Sequence, residues 1–453
     1  MQIRMSSNPP AATLPERATL EAWAQRALEA GQREGASGAE VHVNGGLGLS
    51  VSVRKGEIET LEFQRDRGLS VSVYFGQRTG AASTSDLSDA GIAGAVRAAC
   101  VIARATGEDP CAGLAEAGRM AKTFPDLDLN HPWALTPDAA IETARRCEAA
   151  GLAVDRRIRQ TEGAALNTHQ GVELYANTHG FAGERRATSH SLSCSLIAVE
   201  GQEMQRDDWW TSARHAGELE SPEAVGRRAG ERAAARLGAR KLATQPAPVL
   251  FVPDMARSLF GHFISAISGG ALYRKASFLL DKLDQPVFSP QVNLEQKPFI
   301  ARGAASAAYD NEGVATAERV LVEAGVLQGY VLGSYSARQM KMQTTGNAGG
   351  VFNLVVRPGE KNFDQLLREM GRGLVVTEMM GSGANTVTGD YSRGAAGFWV
   401  ENGIITHPVH EITIAGNLSQ MFKGIAALGS DVDTRTGIRC GSVLIDRMTI
   451  AGD

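Results

Sequence analysis

Alternating apolar and polar residues near the start of the chain restrict that region to β-structure. Apolar residues occupy every second position in 41–43, 49–53 and 69–75, and the pairs Lys55-Gly56 and Gly76-Gln77 follow the second and third runs. A period of two places successive side chains on opposite faces of a sheet, and glycine accepts the backbone angles of a tight turn. These runs therefore predict an antiparallel meander with one apolar face.

Helical spacing flanks the meander, and the whole arrangement recurs. Residues 20–28 carry apolar side chains at helical spacing behind a capping box of Thr13 and Glu16, and residues 85–106 also have helical spacing. Further along, the sequence predicts a helix over 137–151, strands through 163–177 and 187–199, and a helix over 222–240. The repeated order of helix, meander and helix indicates an internal duplication.

The composition changes near residues 243–248, where charge becomes sparser and glycine more frequent. Strand patterns follow to the end, with hairpin signals at Ala324-Gly325 and Asn402-Gly403. With 453 residues the chain is also too long for one ordinary core. We therefore expect an α+β protein with an N-terminal α+β domain over 15–242 and a β-rich C-terminal domain over 243–453. Residues 1–14 are expected to be a mobile lead.

Charge and cysteine usage exclude several classes of function. The formal net charge of −4 provides no basic face for direct binding to nucleic acid. The five cysteines are widely spread and include no CxxC pair for zinc, which favours a reducing cytoplasm. No apolar run approaches the roughly 18 residues that span a bilayer, so neither secretion nor membrane insertion is expected.

Common catalytic motifs are absent from the sequence. It has no GxSxG turn, no GxxxxGK[ST] phosphate loop and no GxGxxG between a strand and a helix. His407, His410 and Glu411 lie in a strand pattern, where residues three apart point to opposite faces, so a metal site there would need a bulge. Cys440 is predicted to be a buried thiol, and His262 a core or interface histidine on an apolar helix stripe.

Two other patterns invite a binding interpretation. Asp207-Asp208-Trp209-Trp210 places aromatics beside carboxylates, although packed tryptophans at a strand end explain it better. Glycine and small polar residues fill the loops 333–338, 345–350 and 381–394, and such loops suit an extended peptide. Tight turns between strands explain any one of these loops equally well.

Taken together, these loops resemble the TldD/PmbA family over nearly the whole chain. The resemblance rests on Asp310-Asn311-Glu312-Gly313, Gly329-Tyr330 and the segments 335–338, 345–348, 379–385, 389–398, 411–418 and 68–74. The stretch from Met379 to Phe398 is similar to the PmbA branch, also called TldE.

This resemblance implies a two-subunit metalloprotease of the bacterial or archaeal cytoplasm. A TldD-type catalytic subunit brings zinc through HExxxH and a later cysteine, and its glutamate activates water. The PmbA-type subunit closes the peptide tunnel. Substrates in the family are unfolded peptides or small proteins, including leader peptides and antitoxins, and the older name "modulator of DNA gyrase" reflects an indirect connection.

The chain departs from the TldD pattern at the zinc motif. With Ser277 as the anchor, the positions of the first histidine, the glutamate and the second histidine fall on Phe260, Gly261 and Ser265. None of these can bind zinc or act as the base. His262 is out of register and Cys440 does not match the TldD cysteine. We therefore expect no catalytic residue and no metal in this chain, and zinc in a TldD-type partner.

The expected role is that of a partner subunit that binds an unfolded peptide as an added strand. The residues predicted to contact the peptide are Tyr335, Arg338, Gly346, Asn347, Gly381, Ser382, Gly383 and Asn385. Whether the isolated chain forms a homodimer stays open. One alternative is an interaction protein that modulates gyrase or an antitoxin without any protease. Another is an independent metallopeptidase with an atypical site built from His407, His410 or Cys440.

Overall fold

A computed structural model describes residues 13–452 and shows the predicted α+β fold class. Positions 1–12 of the predicted mobile lead lie outside the described residues. The first part of the chain contains α1 (Arg17–Arg33), β1 (Gly38–Arg54), β2 (Glu57–Phe75), β3 (Arg78–Thr84), α2 (Asp89–Ala105), α3 (Pro137–Leu152), β4 (Ile158–Asn177), β5 (Ala182–Glu200), β6 (Glu203–Ala213) and α4 (Pro222–Ala235).

These strands form one six-stranded sheet in the order β3-β2-β1-β4-β5-β6. Every neighbouring pair is antiparallel, so β1–β3 and β4–β6 are two meanders joined through the pairing of β1 with β4. The predicted meander is confirmed, and both halves follow the predicted order of helix, meander and helix. Each meander has three strands, and β6 comes in addition to the two strands predicted for the second half. The pairing of β1 with β4 merges the two repeats into a single sheet.

One face of this sheet carries the helices. Val41 and Val43 of β1 lie in the core with α1 and α2, whereas Val51 and Val53 lie in the core with α3 and α4. All four valines occupy odd positions, so alternation along the strand places them on the same face. The helices α1 and α2 therefore cover one half of this apolar face, and α3 and α4 cover the other half.

The start of α1 differs from the prediction. The helix begins at Arg17 with Glu16 as its N-cap, and the Glu16 side chain makes no capping hydrogen bond. The capping box predicted for Thr13 and Glu16 is therefore wrong, because the cap position falls three residues later, on a residue type that seldom caps.

The second part is rich in strands. Its elements are β7 (Gln245–Phe251), α5 (Pro253–Ala266), α6 (Gly269–Tyr273), β8 (Leu294–Gln296), β9 (Arg319–Glu323), β10 (Val326–Leu327), α7 (Ser334–Gln339), β11 (Leu354–Val356), α8 (Phe363–Met370), β12 (Gly373–Met380), β13 (Asp390–Glu401), β14 (Ile404–Asn417), α9 (Leu418–Lys423), β15 (Ile425–Leu428), β16 (Ile438–Arg439) and β17 (Val443–Ala451). Within residues 13–452, no helix has both the length and the apolar character needed to cross a membrane.

These strands form a sheet in the order β10-β9-β8-β11-β16 and a second sheet in the order β14-β13-β12-β7-β17-β15. Both predicted hairpins are confirmed: Ala324-Gly325 joins β9 to β10, and Asn402-Gly403 joins β13 to β14. All four turn residues have positive φ angles, which is the geometry that a two-residue antiparallel turn requires.

Arg435 connects the two parts of the protein. Its guanidinium carbon lies 4.4 Å from the ring centre of Trp209 and 4.1 Å from that of Trp210, both on β6. The same guanidinium donates to the carbonyl of Trp210 and forms ion pairs with Asp433 and with Asp254 at the start of α5. The predicted packing of the two tryptophans is therefore observed, with the cation as their partner.

Helices α3 and α4 cross at a glycine contact. A Cβ atom added to Gly226 of α4 would lie 1.9 Å from the carbonyl oxygen of Cys147 on α3. Gly94 of α2 is also inside a helix, but there the nearest atom to an added Cβ is a flexible Arg97 nitrogen at 4.0 Å. Alanine substitutions at Gly226 and Gly94 therefore distinguish the effect of close packing on stability from the effect of helix propensity.

We predict opposite effects on stability for the two alanine substitutions. Gly226→Ala should lower the free energy of unfolding by on the order of 2–3 kcal/mol, because the α3 backbone must move. Gly94→Ala should raise it by roughly 0.5–1 kcal/mol, because alanine favours the helix and meets no obstacle. Chemical denaturation of both variants measures the difference, and two changes of the same sign would contradict the described helix crossing.

Candidate functional site at α5 and the glycine loops

Helix α5 carries the three positions that the resemblance aligns with the zinc motif. The Phe260 side chain is fully buried in the core and stacks on Phe288 with 6.3 Å between ring centres. Gly261 lies beside Ile438, and the exposed Ser265 donates its hydroxyl to the Gly261 carbonyl at 3.0 Å. A buried aromatic ring, a glycine and a hydroxyl already used within the helix do not fit zinc or a general base.

His262 faces a different environment on the same helix. Its ring meets Tyr391 edge-on, with 6.1 Å between ring centres, and its Nε2 atom is buried with no hydrogen-bond partner among the described residues. Burial, and then the positive charge of Arg393, lower the pKa of His262. The ring is therefore a neutral packing group near neutral pH, as expected for a core or interface histidine.

The histidines of β14 do not converge on one point. The strand does contain a bulge, because its register with β13 shifts between Ala395 and Gly397 and Glu411 has a φ of 50°. Even so, His407 contacts Thr406 at 3.0 Å, His410 contacts Gln205 at 3.2 Å, and Glu411 forms an ion pair with Lys241 at 3.1 Å. The bulge redirects the side chains without assembling them into a metal site.

The Cys440 thiol is also poorly suited to catalysis or metal binding. Its side chain is 1% exposed, burial raises its pKa, and its Sγ atom lies 3.7 Å from the Pro253 carbonyl oxygen. Across residues 13–452, no three His, Cys, Asp or Glu side chains are grouped so that they could hold a metal ion. Neither Cys440 nor the histidines of β14 therefore belong to a zinc-binding group among the described residues.

In the loop around α7, Arg338 holds another segment of the protein. Its guanidinium donates to the carbonyls of Cys111 and Gly113 at 3.2 and 3.0 Å, to the carbonyl of Leu114, and to Glu116 at 3.0 Å. These partners are separated from Arg338 by more than 220 residues in the sequence. Nothing local in the sequence marks a stretch of carbonyls as an arginine partner, so this segment could not be predicted.

Tyr335 lies on the same helix and remains accessible. Its side chain is 37% exposed, and its hydroxyl donates to Asp109 at 2.7 Å. Its ring meets Tyr273 edge-on with 5.8 Å between centres. One face of this predicted peptide-contacting residue is thus held by the protein while part of the ring stays open to solvent.

Gly346 and Asn347 form a tightly bonded turn. Gly346 has a φ of 69°, which favours glycine, and the Asn347 side chain is only 3% exposed. The Asn347 amide donates to Gln296 at 2.6 Å and to the Gly350 carbonyl at 2.8 Å, and its oxygen accepts from Arg319 at 2.7 Å. All of these bonds are internal, so the Asn347 side chain shapes the loop from within.

The loop after β12 is far more open. Gly381, Ser382, Gly383 and Asn385 are all exposed, and they lie between Met380 and Val387, whose side chains are 45% and 53% exposed. A Cβ atom on Gly383 would lie 1.6 Å from the Ser392 carbonyl, so this backbone has to pass close to β13. The loop presents backbone groups beside apolar side chains, which suits an extended peptide.

The loop around α7 and the loop after β12 both contact the segment 273–278, which begins with the last residue of α6. Tyr273 packs against Tyr335 of the first loop, and the Phe278 N–H donates to the Thr386 carbonyl of the second loop at 3.0 Å. Between these two residues, the Ser277 hydroxyl donates to the Ala266 carbonyl at the end of α5. Residues 273–278 therefore link the loop around α7 and the loop after β12 to α5, the helix that lacks the zinc motif.

Comparison with known proteins assigns the chain to a class. Three consecutive family models match it, described as domain 1, the central domain and the C-terminal domain of the PmbA/TldA metallopeptidases, over residues 39–103, 130–237 and 244–452. The architecture described above is thus that of a multi-domain protein of the metallopeptidase class.

Individual relatives refine this assignment. "Metalloprotease PmbA" from Escherichia coli O157:H7 is 47% identical over 96% of this chain and 97% of its own length. A crystal structure from Bacteroides thetaiotaomicron, described as a modulator of DNA gyrase, is 29% identical with a TM-score of 0.91 and covers 96% of this chain and 99% of that one. The chain therefore belongs to the PmbA/TldD family and is of the PmbA type.

A third similarity concerns the fold alone. The crystal structure of TldE from Thermococcus kodakarensis is 20% identical, with a TM-score of 0.84, and covers 95% of this chain and 100% of that one. At this identity the similarity shows that the two proteins share an architecture.

Alanine substitutions at Asn347 and Asn385 distinguish an asparagine that stabilises its loop from within from one that is exposed on the surface. Asn347→Ala should lower the free energy of unfolding by about 1–3 kcal/mol, because buried donors and acceptors on Gln296 and Arg319 lose their partner. Asn385→Ala should lower it by less, about 0.5–1 kcal/mol, because only exposed backbone N–H groups of the turn lose their acceptor. Denaturant unfolding of the two variants provides the test, and a neutral Asn347→Ala would show that the network does not stabilise the loop.

Proposed function

We propose that this chain is the PmbA/TldE-type subunit of a cytoplasmic metalloprotease complex. In this proposal a TldD-type partner holds the zinc ion and performs the hydrolysis. The present chain contributes peptide binding and assembly, and the complex acts on unfolded peptides or small proteins, of which leader peptides and antitoxins are the examples that the family suggests.

The observation that carries the proposal is the composition of α5. The chain belongs to a family of metallopeptidases, yet the aligned positions hold Phe260, Gly261 and Ser265. Phe260 is fully buried and Ser265 bonds to its own helix, so a rotation of side chains would not create a ligand set there. A family member with this helix supports the chemistry of another subunit.

The exposed loop from Gly381 to Asn385 supports a role in peptide binding. The Asn385 side-chain oxygen accepts from the backbone N–H of Val387 at 2.9 Å, which holds the turn while leaving the loop exposed. Peptides that bind as added strands obtain affinity from backbone hydrogen bonds and selectivity from apolar contacts. The loop and the flanking Met380 and Val387 offer both.

The cytoplasmic assignment is supported by the cysteines. All five thiols are free, and four of them are buried. Free thiols are characteristic of a reducing compartment, in which disulfides are rare.

A second candidate is an interaction protein that acts without a protease. It is favoured by the description of the Bacteroides thetaiotaomicron relative as a modulator of DNA gyrase. The two candidates differ in their partner. The first requires that a TldD-type chain is recovered with this chain in equal amount. The second requires that a gyrase subunit or an antitoxin is recovered instead. Affinity purification of the tagged chain from its own cells distinguishes them.

A reconstituted peptidase assay tests the leading proposal. We expect an unfolded protein such as denatured casein to be cleaved when this chain and a TldD-type partner are mixed, and not by this chain alone. Insertion of two residues between Ser382 and Gly383 should reduce cleavage by the pair, because the loop would lose its position beside Ser392. His407→Ala should have no such effect, because His407 bonds to its neighbour Thr406 and pairs with Trp399 of β13, away from the loop.

The same assay tests the alternative that this chain is an independent metallopeptidase with an atypical site. Cleavage by the purified chain alone, abolished by His407→Ala or Cys440→Ala, would contradict the proposal and restore the atypical site as the catalytic centre.

A further inference from the structure

A large cavity lies away from both α5 and the glycine loops. It has a volume of about 730 Å³ and lies where the end of β6 meets the loops 301–304 and 434–439 of the second part. The charged residues that line it are Arg214, Arg302, Arg435, Arg439, Glu218 and Glu220. Four guanidinium groups around one cavity repel one another, so each is expected to have a partner of opposite charge.

Two of these arginines are neutralised by neighbouring carboxylates. Arg302 forms ion pairs with Glu218 and with Asp128, the latter at 2.9 Å. Arg435 is paired with Asp433 at 2.9 Å and with Asp254 at 3.1 Å. The charges of Arg302 and Arg435 are therefore satisfied within the protein.

Arg214 and Arg439 are different. Arg214 donates to the carbonyls of Thr188 and Ala304 at 2.9 and 2.6 Å, which are neutral acceptors, and its Nε atom is buried without a partner. The Nε atom of Arg439 is also buried without a partner, and within residues 13–452 no carboxylate pairs with either guanidinium. Burial lowers the pKa of both side chains, which reflects the cost of holding these charges away from water.

An anion in the cavity would remove this cost. Buried charged groups are almost always paired, and Arg214 and Arg439 both line the cavity without a carboxylate partner, which leaves room for an anion beside their guanidinium groups. The planar guanidinium group matches a carboxylate through two parallel hydrogen bonds. The Thr211 and Ser212 side chains also line the cavity and can donate to the same anion.

The surroundings favour a peptide as the bearer of that carboxylate. Strand β6, which ends at the cavity, is the outermost strand of its sheet, and an edge strand presents N–H and C=O groups to an added strand. The lining residues include no aromatic ring on which a nucleobase could stack. A cavity of this size also exceeds what a single small anion fills.

We propose that Arg214 and Arg439 form a carboxylate-binding pocket that anchors an extended peptide beside the end of β6. The carboxylate is either the C-terminus of the peptide or an aspartate or glutamate side chain. This inference deepens the proposed function and rests on it for the choice of a peptide. It assigns to the junction between the two parts a contact that is separate from the loop at Gly381–Asn385.

Calorimetric titration of the isolated full-length chain tests the pocket. The probes are an uncharged peptide of about six residues with a free C-terminus, its C-terminal amide, and the same amide with one internal glutamate. We expect the free acid, the glutamate peptide or both to bind about ten- to a hundredfold more tightly than the plain amide. The free acid identifies a C-terminal site and the glutamate peptide a side-chain site.

Variants show whether the difference arises in this cavity. Arg439→Gln should abolish the preference for the carboxylate and leave binding of the plain amide unchanged, whereas Arg439→Lys should retain part of it. Arg357→Gln is the matched control, because Arg357 is exposed and pairs with Glu295 outside the cavity. Thermal unfolding of each variant confirms that it is folded.

Several outcomes would overturn the pocket. Equal binding of acid and amide, an unchanged preference in Arg439→Gln, or binding of inorganic phosphate with no binding of any peptide would each do so. The measurement requires no zinc subunit, so a failed reconstitution of the protease with intact carboxylate preference refutes the proposed function alone. Active protease without that preference refutes the pocket alone.

Discussion

The contact of Arg435 with Trp209 and Trp210 is the interaction that holds the start of α5 against β6. A guanidinium that faces two indole rings and two carboxylates is desolvated, and its side chain is only 16% exposed. Removal of one partner from such a buried charge costs about 3–5 kcal/mol, so the cation and its partners act as one unit. Because Asp254 opens α5 and the tryptophans belong to β6, this unit fixes the helix of the second part against the sheet of the first.

The same contact explains why a cationic cavity exists beside it. Arg435 holds the loop 434–439 against the end of β6, and this placement brings Arg439 and Arg214 to a common space. The cavity and α5 lie on either side of one joint, since Arg435 lines the cavity and its ion-pair partner Asp254 opens α5. In our account the chain uses this joint to hold a peptide, while the chemistry takes place in another subunit.

The sequence predicts the sheets well where the pattern is local. Alternation from Val41 to Phe75 determines the meander, and the pair Asn402-Gly403 determines a hairpin, because each depends on a few adjacent residues. The pairing of β1 with β4 has no such local signal, since it joins residues more than 110 positions apart. The prediction of a capping box at Thr13 and Glu16 was wrong for a related reason, because the position of a helix end depends on tertiary packing.

The site was predictable only in part, for a comparable physical reason. The absence of ligands at Phe260, Gly261 and Ser265 can be read from the sequence once the family pattern is aligned. The internal partners of Arg338 and Asn347 cannot, because they are carbonyls and amides supplied by distant segments. The same holds for Arg439, whose unpaired state becomes visible only when the cavity around it is known.

The zinc content of the two separated subunits tests the central claim most directly. Each chain would be purified without chelators, dialysed against trace zinc and measured by mass spectrometry together with a Cys440→Ala variant of the present chain. The account predicts about one zinc ion per TldD-type chain and a content in the present chain that is far below stoichiometric and is the same in Cys440→Ala. One tightly bound zinc ion per copy of the present chain, lost in Cys440→Ala, would contradict it.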